Sequence, residues 1–268
     1  MRFEKWQGTG NHHVVVERDN LPRPMDADWA RRLCEPHFGV GADGVLEVSW
    51  DAGHPRMTVW NADGSIAENC GNGIRIVARY LAGRGHLPDD GIVLTGEQTT
   101  RVDVRGDGTV AVHMGRASFP AGERRETLAG GGETLAFVEV SMGNPHAVIE
   151  VAAGEDPETA LYEHGARVEG DPRFAERVNA EFVRVDAPDH ATVWVWERGV
   201  GPTMACGTGA CAVAAALVRT RAGVSPMTIS LPGGDLTIAV DDDLNVVMTG
   251  PAERVYRGEL DDGATPPP

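Results

Sequence analysis

The feature that most constrains what this chain can fold into is that it repeats itself. Gly10-Asn11-His12-His13-Val14-Val15-Val16-Glu17 returns 133 residues later as Gly143-Asn144-Pro145-His146-Ala147-Val148-Ile149-Glu150. Cys70-Gly71-Asn72-Gly73, with the apolar run to Leu81, returns at an offset of 136 as Cys206-Gly207-Thr208-Gly209 with the run to Leu217. His113-Met114-Gly115 returns at 135 as Met248-Thr249-Gly250. Near-constant offsets at three separated places imply two similar domains related by an approximate twofold axis. The expected division is 1–116 and 117–253, with the tail from about 254 to 268 packing back on the first half. A length of 268 residues suits two domains that each bury a core.

The same local pattern recurs in each half. Val14 to Val16 and Val148-Ile149 read as buried strands. Arg101 to Val104 and Leu236 to Val240 alternate as half-buried strands do. Between them lies one apolar stretch, Gly73 to Leu81 or Gly209 to Val218, rich in Ala, Ile and Val and about three turns long as a helix. The expected class is α+β: two pseudo-symmetric domains, each a curved, mostly antiparallel sheet wrapped around a central helix. Residues 26–35 read as an amphipathic surface helix with Trp29 and Leu33 on one face. Segment 117–134, with Pro120 and Gly130-Gly131-Gly132, reads as a linker.

Composition removes several classes of function. A formal charge of -16 with no basic cluster argues against nucleic acid and anionic membrane surfaces. No apolar run approaches the roughly 20 residues of a membrane span. The opening Met1-Arg2-Phe3-Glu4-Lys5 lacks a signal peptide's apolar core, so a cytoplasmic location is expected. The four cysteines, at 34, 70, 206 and 211, show no CxxC spacing and are expected to be free thiols. No metal site is expected, because no carboxylate or cysteine completes a ligand set with His12, His13 and His146. The glycine motifs match neither a P-loop nor G-x-G-x-x-G.

Cys70 and Cys206 each precede Gly-x-Gly and a helix, where unpaired backbone N–H groups and the helix dipole favour anions. That placement is expected to lower the thiol pKa, while the glycines let a carboxylate approach the backbone. One such cysteine would be read as a small buried apolar group. Two in the same turn of two symmetry-related domains, facing one another across the domain cleft, point to chemistry. Inverting a carbon beside a carboxylate needs a base on one face and an acid on the other, and a thiolate–thiol pair supplies both without a metal or aldehyde cofactor. Cys34 and Cys211 carry no such pattern and read as structural.

The longer motifs carry a resemblance. Asn61-Ala62-Asp63-Gly64-Ser65, Glu68 to Arg75, Met142 to His146, Glu197 to Gly201 and Ala205 to Ala210 closely resemble the diaminopimelate epimerase family, in order from about Phe3 to Tyr256 and weakly over 117–137 and 151–175. The resemblance implies a cofactor-independent isomerase that interconverts L,L- and meso-2,6-diaminopimelate in lysine and peptidoglycan precursor synthesis. It makes Cys70 and Cys206 the catalytic acid/base thiols, and Gly71-Asn72 and Gly207-Thr208 the groups whose amides grip the reacting carboxylate. Asn11, Asn61, Asn144, Asn179, Glu197 and Arg198 match groups that hold the substrate's two amino-acid ends. Arg198 suits a forked grip on the distal carboxylate. His146 and Glu197 match residues that tune the thiols, and Tyr256 one tied to homodimer contacts. The chain departs from the family's Gly-Asn-Asp-Phe at His12-His13, and carries Gly44 where some members have a substrate-contacting glutamine. The alternatives are a related racemase of proline, hydroxyproline or histidine type, and a non-enzymatic amino-acid-binding protein.

Overall fold

A computed structural model describes residues 1–67, 70–130, 133–152 and 154–260. The chain divides into two compact units, one of residues 1–112 with the C-terminal residues from Gly250, the other of His113–Thr249. Glu68, Asn69, the Gly131-Gly132 part of the glycine run and the end of the tail lie outside the described residues.

In chain order the first unit holds β1 (Arg2–Gly8), β2 (Asn11–Glu17), α1 (Ala27–Cys34), β3 (Gly44–Asp51), β4 (His54–Asn61), β5 (Ile66–Ala67), α2 (Gly71–Ala82), β6 (Ile92–Thr95), β7 (Gln98–Val104) and the start of β8 (Val110–Arg116). The second holds β9 (Glu126–Gly130), β10 (Glu133–Ser141), β11 (Pro145–Glu150), α3 (Pro157–Glu169), β12 (Asn179–Ala187), β13 (His190–Glu197), β14 (Gly201–Thr203), α4 (Gly207–Arg219), β15 (Met227–Leu231), β16 (Gly234–Val240) and β17 (Asn245–Gly250). The last strand, β18 (Glu253–Glu259), pairs antiparallel with β1, Lys5 opposite Tyr256, in the first unit.

Each unit carries a mostly antiparallel sheet with two parallel pairings, β2 with β3 and β4 with β6 in the first, β11 with β12 and β13 with β15 in the second. The register repeats as the sequence does. His13 pairs with Gly44 and Gly44 with Asn61; in the second unit His146 pairs with Asn179. The parallel pairs β2–β3 and β11–β12 are each joined through a helix, α1 or α3, as parallel strands require. α1 opens on Asp26, whose carboxylate accepts from Trp29 N, and buries Ala30, Leu33 and Cys34.

The central helices are buried almost all round. α2 buries Ile74, Ile76, Val77, Ala78 and Leu81, and α4 buries every residue from Gly209 to Leu217. Full burial of each larger aliphatic chain contributes about 1.5–3 kcal/mol relative to exposure. The one buried charge of α2, Arg75, donates to Thr9 Oγ1 at 3.1 Å, Pro251 O at 3.2 Å and Gly71 O at 3.4 Å. A buried guanidinium is tolerable only with such partners. It thereby ties the N-terminal turn of α2 to the loops around it.

Two readings of the sequence are corrected here. The expected linker 117–134 is not a free connection: Ser118 bridges to Ser141, and β9 pairs with β10 from Gly130–Glu133 to Glu126–Phe137. Leu128 is the reason, since it is buried among Phe137, Ile149, Leu161 and Phe182. Helix α3 was not expected, although Asp156 followed by Pro157 and Glu158 is an N-terminal signal. Its faces are weakly segregated, which hides the helical period.

Candidate functional site

In the first unit, Cys70 is the N-cap of α2, and its Sγ accepts from Gly73 N at 3.2 Å. A methyl on Gly73 would lie 3.2 Å from that sulfur and 3.0 Å from Leu46 Cδ2, so the third helical position stays bare to seat the thiol. Asn72, buried behind it, reaches Asn11 Oδ1 at 3.5 Å. Asn11 Nδ2 donates to Asp43 Oδ2 at 2.8 Å, and the same oxygen accepts from His12 N at 2.8 Å. A carboxylate therefore does stand beside Asn11, supplied by Asp43 before β3 instead of the residue after Asn11. Asn61 ends β4 and is fixed by its turn, with Nδ2 donating to Ser65 Oγ at 2.9 Å. Asn11, Cys70, Gly71 and Asn72 thus gather within this unit at the start of α2, while Asn61 stands at the end of β4 opposite Gly44. His13 is buried with its ring against Gly44, where an added methyl would meet the ring at 3.2 Å. Burial pulls the His13 pKa down to about 4.

In the second unit, Cys206 is the N-cap of α4, buried, with Sγ 3.5 Å from Thr208 Oγ1. Thr208 Oγ1 accepts from Asn144 Nδ2 at 3.3 Å, Asn144 Oδ1 lies 3.0 Å from His146 Nε2, and His146 Nδ1 lies 2.7 Å from Glu181 Oε1. A hydrogen-bonded chain thus runs from Glu181 to the sulfur. Asn179, also buried, donates to Pro145 O at 3.0 Å and accepts from Arg198 N at 2.9 Å, so it fixes the turn that carries Glu197 and Arg198. Arg198 is exposed, with Nη1 donating to Glu176 O at 3.3 Å. Asn144, His146, Asn179, Glu197, Arg198, Cys206, Gly207 and Thr208 are gathered here around the start of α4.

The expectation that the helix N-terminus lowers both thiol pKa values is overturned at Cys206. Burial, followed by the Glu197 and Glu181 carboxylates, pushes this thiol well above the ordinary range, against the hydrogen bonds of Thr208 and Gly209. Desolvation and two negative neighbours outweigh a partial helix charge. These neighbours favour the protonated thiol at Cys206. Glu181 is the functional candidate that the sequence reading missed. It looks like one more residue of an alternating strand, and only the structure shows that its face of β12 lies against α4 and not solvent. Cys34 and Cys211 are both buried, and burial pushes the Cys34 thiol to about 11.

Comparison with known proteins gives the family and the fold. The family model described as diaminopimelate epimerase matches residues 3–120 and 138–255. A diaminopimelate epimerase from Synechococcus sp. is 40% identical over 277 residues, covering 96% of this chain and 97% of the relative. One from Desulfitobacterium hafniense is 39% identical over 280 residues, covering 97% and 98%. Among solved structures, the phenazine biosynthesis protein of the PhzF family from Bacillus anthracis matches with TM-score 0.73 at 15% identity, over 97% of this chain and 98% of that one. A hydroxyproline epimerase from Agrobacterium vitis matches with TM-score 0.69 at 15% identity, over 96% and 91%. Identities that low establish the fold alone: the α+β architecture read from the repeat. The family match over both halves, with full-length relatives near 40% identity, establishes the rest: this chain belongs to the diaminopimelate epimerase family of isomerases.

Proposed function

We propose that this protein interconverts L,L- and meso-2,6-diaminopimelate by moving one proton off and one proton onto the α-carbon, with Cys70 and Cys206 as the acid/base pair. The observation that carries the reading is the duplicated device itself. Each unit places a cysteine at the N-cap of its buried central helix, followed by glycine at the first and third helical positions. The substrate α-carboxylate takes the N–H groups of Gly71-Asn72 and Gly207-Thr208, where helix ends favour the charge that grows as the proton leaves. One thiolate removes the proton as the other thiol delivers its own to the opposite face, so the roles exchange after each turnover and no cofactor is needed. The mechanism requires both sulfurs to reach one carbon.

At the other end of the substrate, Arg198 grips the distal carboxylate with its fork, and Asn11, Asn61, Asn144, Asn179 and Glu197 complete the pocket for two amino-acid heads. The contact of Asn11 with Asn72 at the start of α2 and of Asn144 with Thr208 at the start of α4 supports this. His146 and Glu197 tune the thiols. Lysine and peptidoglycan precursor synthesis and a cytoplasmic location follow from that substrate. Among the described residues no helix is long and apolar enough to cross a membrane. A homodimer is proposed through β18, which pairs with β1 and exposes Val255 and Tyr256.

The test is a substrate panel. Purified protein should convert L,L-diaminopimelate to the meso isomer, followed by chiral chromatography, and leave L-proline, trans-4-hydroxy-L-proline and L-histidine unchanged. Turnover of one of those with none of diaminopimelate would overturn the substrate; binding without turnover of any would overturn the enzyme.

A further inference from the structure

The two thiols occupy the same position in two copies of one design, and the design differs between the copies at the residue beneath each thiol. His13 and His146 correspond at an offset of 133 residues, Leu46 and Glu181 at 135, and Asn61 and Glu197 at 136. The strand register agrees: Val15 pairs with Leu46 and Leu46 with Val59, as Val148 pairs with Glu181 and Glu181 with Val195. The contacts agree too. A methyl on Gly73 would meet Leu46 Cδ2 at 3.0 Å, and one on Gly209 would meet Glu181 Oε1 at 2.8 Å. That second methyl would lie 3.4 Å from Cys206 Sγ. The two distances hold the carboxylate oxygen within about 6 Å of the sulfur, close enough for a strong effect in a buried site.

The histidines register the same difference. His146 Nδ1 has Glu181 as its partner, whereas His13 Nδ1 makes no hydrogen bond among the described residues, because Leu46 stands where the carboxylate would be. Glu181 itself is fully buried, and its Oε2 makes no hydrogen bond among the described residues. Unit two thus carries two carboxylates, Glu181 and Glu197, where unit one carries a leucine and an asparagine. Among the described residues, the titratable groups around Cys206 include His146 on β11, Glu181 on β12 and Glu197 on β13, and those around the Cys70 half-site include His13 on β2, Asp43 before β3 and Arg75 on α2.

We infer that Glu181 is a positioning residue that makes the two thiols inequivalent, assigning the proton of the resting pair to Cys206 and leaving Cys70 as the resting base. The inference rests on the two-cysteine reading. The buried carboxylate disfavours a second negative charge at Cys206, and its chain through His146, Asn144 and Thr208 holds the hydroxyl against the sulfur. Thr208 Oγ1 accepts from Asn144, so its hydroxyl can accept from the thiol or donate to the thiolate as Cys206 changes role.

The experiment measures iodoacetamide alkylation of Cys70 and Cys206 separately, by peptide mass spectrometry across pH, in the full-length protein, with kcat/KM profiles alongside. In the native chain Cys70 should alkylate with the lower pH midpoint. Glu181→Gln keeps an acceptor for His146 and should lower the Cys206 midpoint by about one pH unit or more, leaving Cys70 in place. The converse, Leu46→Glu, supplies His13 with a carboxylate and should raise the Cys70 midpoint by a similar amount; it carries the test if Glu181→Gln does not fold. A Glu181 that served only packing would slow turnover and leave the midpoints where they are. Unmoved midpoints in the folded variant, with Cys206→Ala inactive, would overturn the inference and leave the two-cysteine reading standing. An active Cys206→Ala would overturn that reading itself.

Discussion

His146 Nδ1 lies 2.7 Å from Glu181 Oε1, and neither side chain has any solvent exposure. Removing one member of such a pair strands the other in a low-dielectric interior, which costs about 3–5 kcal/mol. His146→Phe should lose about that much stability in urea denaturation. The double variant His146→Phe/Glu181→Leu should recover most of the loss, because the buried carboxylate is removed as well and only the partly buried Asn144 Oδ1 then lacks its partner. Equal stabilities for the single and double variants would show that the pair is not coupled.

His13 gives the fold a pH dependence of its own. Its pKa falls from 6.5 to about 4 through burial, so folding favours the neutral ring. This contribution is complete above pH 6.5 and is lost as pH falls toward 4, by about 3 kcal/mol in all. His13→Phe should therefore flatten the stability profile across that window relative to the native chain, measured by denaturant unfolding at successive pH values. Parallel profiles would contradict the burial argument.

Gly209 and Gly73 are bare for different neighbours. Gly209→Ala drives a methyl to 2.8 Å from the Glu181 carboxylate, which is buried on all sides, and to 3.4 Å from Cys206 Sγ. Overpacking of this kind costs about 1–3 kcal/mol. We expect a kcat at least tenfold lower, in the range typical for a misplaced catalytic group. Gly73→Ala meets the tip of Leu46, which can rotate, and should be the milder change in thermal melts. Native kcat and melting temperature in Gly209→Ala would refute the close approach.

Cys34 and Cys211 should take no part in the chemistry. With its pKa near 11, Cys34 is about one part in a thousand thiolate at pH 8, and Cys211 has no exposure. Cys34→Ala and Cys211→Ala should keep activity within about twofold while losing stability modestly, as for other small buried groups. Loss of activity in a folded Cys34→Ala protein would contradict the assignment.

Much of this was legible before any coordinates, and for a stated reason. Cys70 and Cys206 announce themselves because a helix N-cap followed by glycines is a local pattern, and the repeat doubles it. The buried strands around Val14-Val15-Val16 and Val148-Ile149 were legible from apolar runs alone. β9 was not, since a glycine run next to it mimics a linker and only Leu128's burial against Phe137 reveals the strand. α3 was not, since its apolar positions form no clean stripe. Glu181 was illegible for a deeper reason: alternation reads Ala180 and Phe182 as the inner face and 179 and 181 as outer. A strand that lies between α3 and α4 has no outer face. The sign of the Cys206 shift followed from the same blind spot, because the helix end is visible in sequence and the neighbouring carboxylates are not.

The most direct test of the central claim is proton NMR of L,L-diaminopimelate in deuterium oxide with the native protein, Cys70→Ala and Cys206→Ala. Two thiols acting as base and acid predict that the native protein yields the meso isomer with solvent deuterium at the inverted carbon, and that neither variant forms it, both remaining folded by circular dichroism. Near-native epimerisation by either folded variant would contradict the account, since one thiol would then suffice to deliver protons to both faces of the carbon.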